Sequence, residues 1–548
     1  MSADLVILNA HMRPLFAAPG STAIAVAAGR ILATGDDAAI RTHIGAETRV
    51  IDAGGRALMP GFIESHLHLM MGGAALSMLN MGALFGFDPV RAALTDFAAT
   101  QPGDGILFGY AVNYVIFGEG TRPDRHILDR IIPDRPLCLI ATDLHCAWAN
   151  TSALELAGIL HGADPGPGSE VVMGADGLAS GELREFAAMN RVKMLSPLQG
   201  RDAMDYRMTG QETAGARDHD RAVIRAAGDY CASLGITRAV NMDGNAWQAG
   251  LMRDLALAGE MPVRVSLPLM LEAKDGVEGV ARIGDFGAEV PGWLSFGRIK
   301  LFMDGVFDTW TALTVTDYPD RPGFRSDPLI PPDLFNRICV EADRRGLQIT
   351  THAVGDGAVR AVIDGYEAAA LANGKRDARH RIEHIDTITP DDLDRLKPLG
   401  ITASMQPVHP PGSAGLPLEP TTTIMGRARW PTAFPWAMIL ARDVPLAFGT
   451  DWPVSPLSPL YAIHCALTRR LWADDMPDQR ISLDECLAAY TTGGAFADFN
   501  ETRAGRLAPG YDADLVLIDG SLENLATDAR AATVALTICA GKITYGTF

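Results

Sequence analysis

The sequence predicts an α/β fold: a (β/α)8 TIM-like barrel with an inserted cap after strand 1 and a small β-sandwich domain built from both termini. Three observations predict it. Between about 225 and 500, short apolar runs alternate with helical stretches, the pattern of a parallel sheet covered by helices. Both ends of the chain are β-rich, punctuated by Gly and alike in style. Histidines and acids recur at the C-terminal ends of the predicted strands, the face on which such barrels place their chemistry.

At the N-terminus the strand candidates are DLVILNA (4–10), AIAVAAGRILATG (23–35) and TRVIDAGGRALMPG (48–61), and near the C-terminus DADLVLIDG (512–520) and VALTICAGKITYG (534–546). Neither end carries a cluster of catalytic residue types, so residues 1–57 with 503–548 are expected to form the sandwich. The first barrel strand is expected at 57–69, in ALMPGFIESHLHL. Seven more follow at 233–244, 261–270, 293–305, 346–356, 379–386, 400–409 and 444–453. That places the barrel in 58–74 with 221–502. A doubly wound open sheet is the alternative, but no Gly-rich phosphate fingerprint follows any strand. The interruption at 75–220 holds turn-rich stretches such as HGADPGPGSE (161–170) and a stretch read as helical, SGELREFAAMNRVKML (180–195). Directly after strand 1 it falls among the βα loops of the active-site face, so it is expected to be a cap over the pocket.

Composition narrows the function classes. The 548 residues are 48% hydrophobic and 21% charged, enough for a large core and against disorder. Asp and Glu outnumber Lys and Arg, 66 to 47, for a net charge of −19, and no basic cluster overrides this, which speaks against nucleic acid or an anionic membrane as partner. The 7 Cys show no C-x-x-C spacing, so neither a thiolate zinc site nor a redox pair is expected. MSADLVILNAHMRPL lacks the basic start and apolar core of a signal peptide, and no stretch approaches the ~18 apolar residues of a membrane span. A cytoplasmic protein is expected.

Of the 13 His, His66 and His68 end the first strand, His352 the fifth and His384 the sixth; Asp451 ends the eighth and Lys300 lies in the fourth. Alternation puts residues i and i+2 on one face of a strand, so His66 and His68 share a face and can hold one divalent ion, with His352, His384 and Asp451 completing the shell. Any one of these histidines alone reads better as an ordinary core or surface residue; the joint pattern reverses that. Gln406 and His409, ending the seventh strand, can donate to a substrate carbonyl or the oxyanion that develops from it. Phe85, Phe87, Tyr110, Tyr114 and Phe117 offer aromatic surface for an apolar substituent, although such residues are more often core.

These motifs resemble one family: PGFIESHLH (60–68), KLFMDG (300–305), THAVGD (351–356), EHID (383–386), SMQPVH (404–409), AFGTDWPV (447–454) and AGRLAPGYDADLVLID (504–519) are similar to stretches of the amidohydrolase superfamily, in its YtcJ-like branch, which includes N-substituted formamide deformylase. The resemblance covers nearly the whole chain. It implies that His66 and His68 bind the more buried metal, that His352 and His384 bind the more exposed one, and that Asp451 touches the first and handles the proton. It implies that Lys300 bridges two ions as a carbamate; a bare ammonium has no lone pair to offer, and the plain alternative is a Lys paired to Asp304. Zn2+ is the expected ion, two per chain if Lys300 is carbamylated and otherwise one.

By the same resemblance, ATDLHCAWANTSAL (141–154) nominates Asp143 and His145 near the substrate, and GELREFA (181–187) nominates Glu185, reaching from the cap toward the metal; structural hydrogen bonding and a solvated helix face are the respective alternatives. Asp304, Phe85 and Tyr114 join the expected substrate-binding set. Two departures stand out: Glu64 occupies a position where Asp is commoner, and GYAVNYVIFGEG (109–120) lacks the Trp-Asp pair expected after its Gly, which weakens any transfer of substrate. The activity implied is metal-dependent hydrolysis of a C–N bond in a small-molecule amide, an N-substituted formamide or related N-acyl compound, by a homodimer. Hydrolysis of an ester, lactone or cyclic amide is the rival within enzymes, hydrolytic deamination a lesser one. A catalytically silent metal-binding regulatory scaffold is the rival of another class.

Overall fold

The computed structural model describes residues 2–118, 120–142, 146–166, 169–204 and 206–548, apart from the Phe186 side chain. The chain divides into two compact units, Met1–Leu69 with Gly228–Phe548, and Met70–Ala227. Among the described residues, no helix is long and apolar enough to cross a membrane.

The first unit opens with β1 (Leu5–Leu8), β2 (His11–Met12), β3 (Ala23–Ala27), β4 (Arg30–Gly35), β5 (Arg49–Asp52), β6 (Ala57–Pro60) and β7 (Phe62–Leu67). β4, β3, β1 and β5 form one sheet in that order. The run that reads as a single strand at 57–69 is in fact two strands, broken at Gly61. A Cβ there would stand 2.2 Å from Thr237 Cγ2, so only glycine lets the chain pass. On one side of the break β6 serves the terminal sheet, and on the other β7 carries the histidines.

In the second unit, β8 (Leu79–Asn80), β9 (Leu107–Val112), β10 (Leu137–Ala141), β11 (Cys146–Ala149), β12 (Glu170–Met173) and β13 (Ala179–Arg184) make one mixed sheet, ordered β12-β13-β11-β10-β9-β8. Alternation along β10 sends Leu137 and Leu139 into one apolar cluster and Cys138 and Ile140 into another, so the sheet is covered on both faces. The stretch expected to be helical over 180–195 is a strand as far as Arg184, and only Glu185–Lys193 is helix. The pairing of β13 with both β11 and β12 overrides its local helical pattern.

The first unit resumes with β14 (Ile236–Asn241), β15 (Arg264–Ser266), β16 (Leu269–Met270), β17 (Leu294–Ser295), β18 (Arg298–Phe302), β19 (Gln348–Ala353), β20 (Arg381–His384), β21 (Thr402–Met405) and β22 (Leu446–Phe448). Two parallel sheets result, β17-β15-β14-β7 and β16-β18-β19-β20-β21-β22. β15 and β16 are two pieces of one short stretch, one piece in each sheet. At the far edge, the chain after β22 lies along β7: Leu67 and Trp452 bridge in parallel, and Asp451 N–H donates to the His66 carbonyl at 2.7 Å. Gly449 permits this approach, since a Cβ there would stand 2.5 Å from the His66 nitrogen.

β23 (Leu515–Gly520), β24 (Ala532–Cys539) and β25 (Lys542–Tyr545) close the chain. β23 pairs antiparallel with β6, from Leu515 opposite Pro60 to Ile518 opposite Ala57, so strands from the two ends share one sheet, ordered β2-β6-β23-β24-β25. None of the seven cysteines is in a disulfide, and all are buried.

Candidate metal centre

His66 and His68 emerge at the end of β7, both buried, and each ring is fixed by a carboxylate. His66 Nδ1 lies 2.7 Å from Glu383 Oε2, and His68 Nδ1 lies 2.7 Å from Asp243 Oδ1. With Nδ1–H donating to those oxygens, Nε2 of each ring carries its lone pair. Both Nε2 atoms point at one oxygen, Asp451 Oδ1, at 3.3 Å from His66 and 3.1 Å from His68. That oxygen is buried and accepts no hydrogen bond. Three acceptor atoms facing one another in a buried site repel unless a cation lies among them, so the donor set fits a divalent ion.

A second group shares the same aspartate. Ligand atoms of His384, His409 and Asp451 all lie within 4.8 Å of one another. The His384 and His409 rings are stacked, with centroids 5.8 Å apart and planes 10° apart. His384 Nδ1 lies 2.9 Å from Gln406 Oε1, which leaves its Nε2 for a ligand role. His409 Nε2 lies 3.1 Å from Ser455 Oγ, whose own hydroxyl donates to the Thr450 carbonyl at 2.7 Å. His352, expected beside His384, has its ring centroid 4.4 Å from that ring, but its Nε2 sits 3.2 Å from the Gly305 carbonyl. Among the described residues His409, not His352, completes the second group.

Backbone conformation aims two of these side chains. His384 follows Glu383 on β20, so alternation alone would send it to the opposite face. Its φ of +76°, with +51° at Ile385, turns the ring toward His66 at a centroid distance of 4.9 Å. Asp451 has a φ of +62°. Left-handed backbone at bulky, non-glycine residues costs about 1–3 kcal/mol each and persists where surrounding contacts hold it.

Electrostatics follow from burial. Burial opposes the charge on Glu383, yet the Arg381 guanidinium, at 2.8 Å from Nε, and His66 hold its carboxyl well below the usual range. Lys300 is fully buried, its Nζ has no hydrogen-bond partner, and burial pushes its amine down to about 8 against the pull of Glu383 and Asp451. Phe302 stands 4.6 Å from that nitrogen.

Lys300 is not paired to Asp304, because Asp304 is engaged elsewhere. Its oxygens accept from Leu313 N at 2.8 Å, Val354 N at 3.0 Å and Gly355 N at 2.9 Å. These three contacts clamp the loops after β18 and β19. Gln406 has its amide Nε2 buried and unpartnered.

Of the remaining nominated residues, Asp143 and His145 lie outside the described residues. Glu185, Phe85 and Tyr114 belong to the second unit. Glu185 starts the helix Glu185–Lys193 with a φ of +64°. Phe85 is exposed, and the Tyr114 ring packs edge-on against the buried Trp148 at 5.2 Å, a core contact of that unit. Two acids escaped the sequence reading, Asp243 and Glu383. The signal for both was available: each is an acid at the end of a predicted strand, and Glu383 directly precedes a nominated ligand.

Comparison with known proteins places the chain in a family. The family model described as "Amidohydrolase family" matches residues 49–545. Protein LONG AFTER FAR-RED 3 of Arabidopsis thaliana is 28% identical, over 99% of this chain and 92% of its own length. N-substituted formamide deformylase of Arthrobacter pascens is 26% identical, over 99% and 98%. The crystal structure of an uncharacterized metal-dependent hydrolase from Pyrococcus furiosus superposes with a TM-score of 0.72 at 23% identity, covering 95% of this chain and 99% of that one, which establishes likeness of fold.

Proposed function

We infer, from the fact that this chain belongs to the amidohydrolase family and is a hydrolase of that superfamily, and from the geometry of its buried cluster, that it cleaves the C–N bond of a small amide. An N-substituted formamide or related N-acyl compound is the substrate class we propose. The observation that carries the reading is the convergence of His66 Nε2 and His68 Nε2 on the unpartnered Asp451 Oδ1. Full-length similarity to N-substituted formamide deformylase supports the choice of amide.

Zn2+ is the ion we propose, held by His66, His68 and Asp451, with a second at His384 and Lys300 if the lysine is carbamylated. His352 or His409 would supply its other imidazole. Such an ion, when bound, lowers the pKa of water toward ~7 and polarises a carbonyl. The chain's own groups do the rest. Asp243 and Glu383 keep the Nε2 lone pairs of the two imidazoles facing Asp451. Asp451 takes the proton of the attacking water and returns it to the leaving nitrogen, general base and then general acid. The unpartnered Gln406 Nε2–H can donate to the substrate oxygen, while its Oε1 orients His384. A neutral lysine amine without a partner can add CO2, and the Lys300 Nζ lacks one.

The finer fold reading belongs here as well. We read the two parallel sheets, linked through Arg264–Met270 and by the Leu67–Trp452 bridge, as one (β/α)8 barrel, the terminal sheets as a β-sandwich, and 70–227 as a domain inserted after the first strand.

The test is hydrolysis of a panel of amides, formamides graded by N-substituent size, and matched esters by the metal-loaded full chain. Amide turnover that falls by ~100-fold or more in Asp451→Asn, with unfolding temperature unchanged, is expected. Turnover of esters alone, or near-wild-type rates in the variant, rejects the reading.

A further inference from the structure

Arg381 opens β20, fully buried, and lies on the same face of the strand as Glu383, two residues on. Its guanidinium grips that carboxylate with two hydrogen bonds, Nε to Oε1 at 2.8 Å and Nη2 to Oε2 at 3.1 Å. Nη2 also donates to the Ser65 carbonyl on β7 at 2.7 Å and to Ser404 Oγ on β21 at 2.8 Å, so one side chain ties three strands together. Oε2 of Glu383 is the oxygen that meets His66 Nδ1, and Ser65 is the residue before His66. The clamp therefore anchors the carboxylate to the strand whose imidazole it orients. Stability does not account for a guanidinium here. Its Nη1 is buried without a hydrogen-bond partner among the described residues, which is unfavourable, and a buried ion pair is often no more stabilising than apolar side chains of similar volume. A lysine would bring the same charge, but as a single point that cannot match the two carboxylate oxygens with a planar fork.

We propose that Arg381 is a positioning residue for the metal centre: it fixes Glu383 relative to β7 and, through that carboxylate, the direction of the His66 ring and of its Nε2 lone pair. That lone pair is the one a divalent ion shares with His68 and Asp451. A carboxylate held in place by the fold does not have to be ordered when the ion arrives, and affinity rises accordingly. The effect runs entirely through Glu383, because the Ser65 and Ser404 contacts serve to hold the guanidinium that holds it. The proposal rests on the reading of His66, His68 and Asp451 as ligands of a divalent ion, and does not depend on which bond is cut.

The experiment measures Zn2+ affinity of the full chain by competition with a chromophoric chelator, and the visible spectrum of the Co2+-loaded chain. Arg381→Lys keeps the charge and loses the fork; its affinity is expected to fall ~10–100-fold and its Co2+ bands to shift, since the direction of one imidazole has changed. A merely structural role would lower the unfolding temperature of the metal-free chain and move neither readout. A second comparison does not need Arg381→Lys to fold. Glu383→Gln is set beside the double variant Arg381→Met with Glu383→Gln, which removes both charges of the buried pair. The double variant is expected to bind Zn2+ within ~3-fold of Glu383→Gln alone, because a residue that acts through another adds nothing once that other is changed. Affinity and spectrum unchanged in Arg381→Lys, or a further loss of ~10-fold or more in the double variant, overturns the proposal while wild type still binds the ion. Wild type that takes up neither Zn2+ nor Co2+ overturns the ligand reading, and the proposal with it.

Discussion

At the residue scale, the hydrogen bonds on the far side of each imidazole matter as much as the ligand atoms. Asp243 holds His68 at 2.7 Å and is itself held by Gln248 Nε2 at 2.8 Å, so the ring is fixed in tautomer and direction. Asp243→Asn keeps the shape but removes the charge that makes the ring a better donor. Metal affinity is expected to fall ~10–100-fold, read by competition against a chromophoric chelator, with the unfolding temperature of the metal-free protein little changed. An affinity within a factor of two of wild type would show that Asp243 is only packing. Spacing at the strand ends was enough to nominate His66, His68, His384 and Asp451. What it left out was direction: the positive φ at His384 breaks the alternation on which such a reading depends.

At the element scale, the helices that cover the parallel strands are pinned by buried polar groups. On the helix Pro332–Arg344, Asp343 accepts from Arg376 Nε at 2.6 Å and Asn373 Nδ2 at 2.9 Å, and lies 3.3 Å from His380 Nε2. His380 Nδ1 in turn accepts from Ile349 N–H on β19 at 3.1 Å, so its Nε2 carries the proton that Asp343 receives. Burial opposes the Asp343 charge, but His380, Asn373 and Arg376 together hold the carboxyl well below its usual range. A group depressed in this way stabilises the fold above the ordinary carboxyl value of ~3.9, and the contribution is lost as pH falls from there toward the folded-state value. Asp343→Asn is therefore expected to lower the urea midpoint by a constant amount above pH ~5, with the gap to wild type narrowing below pH ~4. A gap that stays constant down to pH ~3 would mean that shape, not charge, is what the site supplies. None of this could be read from the sequence, because an Asp, an Asn and a His from three successive segments meet only once the helices are packed. The eight strand positions were legible, being apolar runs bounded by turn residues. The break at Gly61 was not, because the side chain that demands it, Thr237, comes from another strand.

At the scale of the whole molecule, the ends of the chain are tied to the parallel strands by charge as well as by pairing. Similar apolar runs at the two ends were enough to suggest one sheet, and β6 pairs with β23. The ionic link beneath it was not legible, since Asp512 and Asp514 sit in an ordinary-looking strand start while Arg238 and Arg264 interrupt apolar strands some 250 residues away. Arg264, buried, donates to Asp514 at 2.8 Å from Nε and 3.1 Å from Nη2, and lies 3.7 Å from Asp512. Asp512 also receives Arg503 at 2.9 Å and lies 3.5 Å from Arg238. Asp514 takes the Ala540 N–H as well, at 2.8 Å, so one carboxylate joins β15, the start of β23 and the turn after β24. Removing one partner of a buried pair leaves the other uncompensated, which typically costs ~3–5 kcal/mol. Asp514→Ala should fall toward the lower end of that range, because Asp512 is close enough to share the charge of Arg264. The measurement is the urea midpoint of the full chain, and a loss below ~1 kcal/mol would mean that solvent or Asp512 replaces Asp514 completely. A second variant separates charge from architecture: Arg264→Met combined with Asp514→Leu removes both charges at similar volume and should recover most of the loss, since such pairs often break even against apolar replacements. If the double variant is instead as unstable as Asp514→Ala, the carboxylate's contact with Ala540 N–H, and not its pairing with Arg264, is what joins the two ends to the strands.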